Sequence, residues 1–122
     1  AVNYTKQSIT ISFYDYGTPN PVALRTIDKA LYPGFALYME AQFASSSVAD
    51  EAQCHLYDVT TSSVVPGSTL LTTAPHDVQR AYKSADISGN LTSGHTYKVR
   101  FGRAAGYFVK PVWAEISGEA IL

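Results

Sequence analysis

The chain has 122 residues, of which 46% are hydrophobic and 16% charged, and its formal net charge is −1. That length bounds one domain, large enough to bury roughly two thirds of its unfolded surface with no metal or disulfide to hold it. The near-neutral balance leaves no basic stripe to neutralise phosphates, which excludes nucleic acid as the expected partner; one cysteine excludes an internal disulfide, and no window approaches the ~18 apolar residues of a membrane-inserted helix.

In chain order, residues 1–8 (AVNYTKQS) are polar, lack a core pattern and read as an N-terminal arm, with Val2 and Tyr4 as the side chains able to engage a neighbour. The Ala1-Val2 start suits both removal of an initiator Met and cleavage of a signal peptide. Residues 9–122 form the single folded domain. Ile9, Ile11 and Phe13 alternate with Thr10, Ser12 and Tyr14, the period of two that marks a strand. Two prolines, Pro19 and Pro21, end it. Val22–Leu31 is the one stretch with helical spacing, through Leu24, Ile27 and Leu31, although Thr26 and Ile27 suit a strand equally.

Phe35–Ala44 alternates most regularly, with Phe35, Leu37, Met39, Ala41 and Phe43 on one face and Ala36, Tyr38, Glu40 and Gln42 on the other. The short link that follows predicts a hairpin with Ala52–Val59. There Ala52, Cys54 and Leu56 face one way and Gln53, His55 and Tyr57 the other. Pro66-Gly67 turns the chain before Leu70 and Leu71. Val78–Ile87 has few strong apolar positions and reads as an edge strand or a strand with a bulge near Ser84. In Thr96–Gly102, Tyr97, Val99 and Phe101 alternate with Thr96, Lys98 and Arg100. Tyr107–Ile116 closes the body with a break or bulge at Pro111, and Gly118 precedes an apolar tail. Many short strands with regularly spaced turns predict an all-β, two-sheet antiparallel β-sandwich. Long loops alternating with short ones favour a jelly roll, with an immunoglobulin-like order as the alternative.

No motif for catalysis or cofactor binding stands out. His55, His76 and His95 are too far apart in sequence for a local metal motif, no GxSxG elbow is present, and no DxDxDG calcium loop occurs. Asp58 has a structural role open to it, accepting backbone N–H groups at the start of a turn. Cys54 falls on an apolar strand face and reads as a buried, inert thiol. The expectation is a non-enzymatic protein without cofactor or metal. Asn3-Tyr4-Thr5 and Asn90-Leu91-Thr92 match the glycosylation acceptor pattern.

The aromatics carry more information. Tyr14, Tyr38, Tyr57 and Trp113 fall opposite the apolar faces of their strands. Such a row is a protein interface, a surface covered by the chain itself, or a platform on which sugar rings stack.

The run LYMEAQF, AQCHLYDVTTSSVVPGSTLLTT, SGNLTSGHTYKVRFGRAAGYF and AEI, spanning about residues 35–116, resembles recurring jelly-roll modules of bacterial and phage surface proteins. In those modules an "LYD-T" step leads to a "V-GS" turn, and a "G-TY-V-FG" strand precedes the last one. The resemblance implies a virion or cell-surface building block, and no catalytic residue carries over with it. The expected function is a structural subunit that self-assembles on a surface, such as a capsid decoration protein or an extracellular filament subunit. Its partners would be further copies of itself, as a trimer or polymer, on a larger scaffold such as a capsid or cell surface. The alternative is a carbohydrate-binding module that uses the exposed aromatics.

Overall fold

A computed structural model of the chain describes residues 6–14, 24–45, 52–72, 80–103 and 109–121. The described residues form nine strands: β1 (Lys6–Tyr14), β2 (Arg25–Thr26), β3 (Ala36–Ser45), β4 (Ala52–Asp58), β5 (Ser63–Val64), β6 (Leu70–Thr72), β7 (Arg80–Asp86), β8 (Thr96–Arg103) and β9 (Val109–Ile121). They make two antiparallel sheets. The first has the order β1-β9-β3-β7, and the second β2-β8-β4-β5, with β6 also paired to β4. With β5 and β6 counted as one interrupted strand, the pairings are β1 with β9, β2 with β8, β3 with β7 and β4 with β5–β6. This is one long antiparallel hairpin wrapped so that successive pairs alternate between sheets, the strand order of a jelly roll.

Alternation places the core as expected. Leu37, Met39, Ala41 and Phe43 of β3, with Ala114 and Ile116 beside them on β9, face Ala52, Cys54 and Leu56 of β4 and Tyr97 and Val99 of β8, all buried. Phe43 packs its ring against Phe101 at 5.9 Å and Tyr82 at 5.6 Å. Gly118 lies between Ile9 and Leu37 in the sheet register. A Cβ there would come within 2.6 Å of Ile9 Cγ1, so only glycine lets those two side chains fill the space above it.

Several expectations change. The strands holding Phe35–Ala44 and Ala52–Val59 do not form a hairpin: β3 and β4 lie in different sheets. Both strands bring a full apolar face, and facing each other across the core buries both faces. The helical spacing at Leu24, Ile27 and Leu31 yields no α-helix. Within Val22–Leu31, β2 is followed by a 3₁₀ turn over Lys29–Leu31, capped where the Asp28 carboxylate accepts from Ala30 N–H at 3.0 Å. Only Ile27 of the three is buried; Leu24 and Leu31 are exposed.

β1 begins at Lys6, so residues 6–8 of the expected arm belong to the sheet, while Val2 and Tyr4 lie outside the described residues. β9 runs without interruption through Gly118, where an apolar tail was expected. The edge position of β7 and its irregularity at Ser84–Ala85 agree with the sequence, as does the bulge next to Pro111.

Candidate functional site

The outward faces of the two sheets carry the chemistry. On the second sheet, strand pairing sets His55 opposite Arg100 and Tyr57 opposite Lys98. Arg100 Nε donates to His55 Nε2 at 2.8 Å, and its guanidinium carbon lies 3.8 Å from the centre of the Tyr57 ring. Lys98 Nζ reaches within 5.6 Å of the same ring. Guanidinium over an aromatic face is a favourable cation–π arrangement. The bond from Arg100 requires an unprotonated His55 Nε2. Burial, and then the charge of Arg100, hold the His55 pKa below its ordinary 6.5.

On the first sheet the same logic repeats with other partners. Lys83 Nζ sits 4.2 Å from the centre of the Tyr38 ring. Trp113, opposite Gln42 in the register, donates from Nε1 to Gln42 Oε1 at 2.8 Å. Glu40 lies between Lys83 on β7 and Glu115 on β9. Tyr38, Tyr57 and Trp113 therefore all stand on outward faces, as alternation indicated, and each is engaged by a neighbouring polar side chain. For Tyr14, a register shift after Ser12 pairs the residue with Ala114; its side chain lies outside the described residues. The sequence offered no signal for Arg100, Lys83 and Gln42 as ring partners, because the strands that carry them become neighbours only through the topology.

A third cluster lies where β4 ends. Asp58 is 7% exposed, and its two oxygens take Thr61 N–H at 3.1 Å and His95 Nδ1 at 2.7 Å. Burial pushes this carboxyl up, but the bonds from His95 and Thr61 win and hold it below its ordinary value. Thr60 Oγ1 accepts from Thr96 N–H at 3.0 Å and Val59 N–H donates to Thr96 O at 2.8 Å. The cluster thus fastens the turn after β4 to the start of β8. His95 is half-buried, and among the described residues its ring bonds only to Asp58. Among the described residues no hydroxyl meets the far nitrogen of this carboxylate–imidazole pair, where the nucleophile of a triad would stand.

Among the described residues no three His, Cys, Asp or Glu side chains gather as a metal site, and no helix is long and apolar enough to cross a membrane. Cys54 is fully buried, and burial pushes its thiol up to about 12. Asn90 is exposed and donates from Nδ2 to Pro66 O at 2.9 Å. His76 and Asn3 lie outside the described residues.

The fold and these faces define an all-β jelly-roll sandwich with charged, aromatic-bearing outer sheets. Compared with known proteins, the chain matches no family model, no curated protein and no solved structure.

Proposed function

We propose that the chain is a non-enzymatic structural subunit that self-assembles on a surface, as a capsid decoration protein or an extracellular filament subunit does. The observation that carries this reading is the state of the outward aromatics. Arg100 covers a face of Tyr57 and Lys83 a face of Tyr38, while Gln42 takes the Trp113 N–H. A sugar ring stacking on those faces would first have to displace a cation that the fold already holds there, which weighs against the carbohydrate-binding alternative. What the faces present instead are oriented charges, the groups that fix register between protein surfaces. The segment ahead of Lys6 is a second contact in this proposal, adding to the sheet edge of a neighbour at β7.

Light scattering over a concentration series tests the reading. The expected result is a trimer or larger species; a 13.2 kDa monomer at every concentration would overturn it.

A further inference from the structure

The outer face of the second sheet brings cations and exposed apolar side chains together. Lys98, Tyr57 and Val64 stand in one row across its strands, Arg100 and His55 in the next, and Gln53 and Leu71 in a third. Residues paired across neighbouring strands share a face. Val64 is 40% exposed and Leu71 49%. In the described strands of this sheet the one carboxylate is Asp58, which is buried and taken by Thr61 and His95.

Arg100 is oriented to receive an anion. It uses Nε on His55 and a guanidinium face on Tyr57, which fixes the plane of the group. Its two terminal nitrogens have no partner among the described residues, and they form the edge that meets a carboxylate with two parallel hydrogen bonds. Lys98 Nζ, at 5.6 Å from the same ring, has no ion pair among the described residues either. Two cations gathered at one ring repel each other, so a carboxylate placed there is attracted by both and offsets that repulsion. Val64 and Leu71 add apolar surface that is stabilised by apolar contact. A polypeptide segment with Asp or Glu among apolar residues supplies both kinds of group. A uronic acid chain, hydroxylated on its rings, supplies only the carboxylates.

We infer that the outer face of the β2-β8-β4-β5 sheet docks an acidic segment of another protein. One carboxylate sits on the terminal nitrogens of Arg100 beside Lys98, and apolar side chains of the segment rest on Val64 and Leu71. This rests on the reading above, as the chemistry of the contact with the scaffold, and it holds whether or not copies of the chain associate. A two-fold contact of this face with itself would set Arg100 and Lys98 against their own copies, so the same face of a second copy is not the occupant.

Fluorescence anisotropy of a dye-labelled, capped peptide that alternates glutamate and leucine tests it at low ionic strength. Wild type should bind this peptide at least about tenfold more tightly than its glutamine counterpart. R100K, which keeps the charge and loses the planar fork, should weaken binding at least about fivefold, and so should V64S/L71S, which keeps both cations. All three positions are exposed, and circular dichroism checks that the variants are folded. Absence of binding by wild type, or binding by R100K equal to wild type, would overturn the site. Oligogalacturonate that displaces the peptide as well as unlabelled peptide does, or a V64S/L71S variant that binds as wild type does, would overturn a protein occupant in favour of an acidic sugar. Light scattering on the same samples separates the two proposals: oligomers that ignore the peptide overturn the docking and leave self-assembly standing, and monomers that bind it do the reverse.

Discussion

Ser68 is the residue whose loss should be felt most for the fewest atoms removed. The strand paired with β4 is interrupted: β5 covers Tyr57 and Asp58, and β6 covers Ala52 to Cys54. Between them the fully buried Ser68 hydroxyl stands in for a missing strand residue. It accepts from Leu56 N–H at 3.0 Å and lies 2.7 Å from Val65 O, to which it donates. Ser68→Ala removes one oxygen and leaves the Leu56 amide buried without a partner. Val65 O keeps its bond from Ser68 N–H at 3.2 Å, so the deficit is one donor. An unsatisfied buried donor costs about 1–3 kcal/mol. For a chain of 122 residues the entropy of unfolding is about 0.25 kcal/mol per kelvin, so a loss of about 2 kcal/mol lowers Tm by about 8 °C. Urea and thermal unfolding of wild type and S68A measure this, with T69A at the neighbouring exposed position as a control expected within about 0.5 kcal/mol of wild type. An S68A protein as stable as the control would refute the assignment of Ser68 as the surrogate ladder partner.

Three further outcomes follow from the geometry. Gly118→Ala places a methyl 2.6 Å from Ile9 Cγ1 and 2.8 Å from Leu37 Cδ2; such overpacking costs about 1–3 kcal/mol. Adding Ile9→Ala to that variant should recover part of the loss in a double-mutant cycle of denaturation midpoints, and strict additivity would contradict the clash. His55 is held below its ordinary 6.5 in the fold, so the unfolded chain takes up a proton that the folded chain refuses. Stability from this group is intact above pH 6.5 and falls as pH drops from there through the folded pKa. His55→Gln, which keeps an acceptor for Arg100, should flatten that part of the profile relative to wild type; superimposable profiles in urea melts between pH 7 and 5 would count against it. The Cys54 thiol, fully buried and pushed up to about 12, should react with a disulfide reagent at pH 8 only after unfolding. Labelling of the native protein as fast as of a free thiol would contradict its placement in the core.

What the sequence made legible was whatever depends on a period of two. Leu37, Met39 and Phe43, or Cys54 and Leu56, identify their own buried face without knowing what covers it. The edge position of β7 and the bulge beside Pro111 were legible for the same reason, since each is a local breach of that period. Pairing was not. The link between β3 and β4 is short enough for a hairpin, yet the two strands part to opposite sheets. The spacing of Leu24, Ile27 and Leu31 imitates a helix, but Ile27 alone is anchored in the core, and Asp28 turns the chain at the next residue. At the site, alternation identified Tyr38, Tyr57 and Trp113 as outward. It could not supply Arg100 for Tyr57, 43 positions along the chain, because that contact depends on the register of β4 against β8. Ser68 left no trace at all, being one serine in a turn rich in them.

The cation–aromatic pairs connect this architecture to the proposed assembly through entropy. A long charged side chain free in water loses about 0.5–1.5 kcal/mol when an interface immobilises it. Arg100 has already undergone part of that loss in folding, held on two sides by His55 and Tyr57. The planar fork it presents is therefore oriented before any partner arrives. Lys83 is drawn onto Tyr38, which leaves Glu40 open where an ion pair with Lys83 would have closed it. The outward tyrosines thus act as supports that decide which charges stay available. On that account the charged side chains, more than the rings themselves, set which surface the subunit accepts.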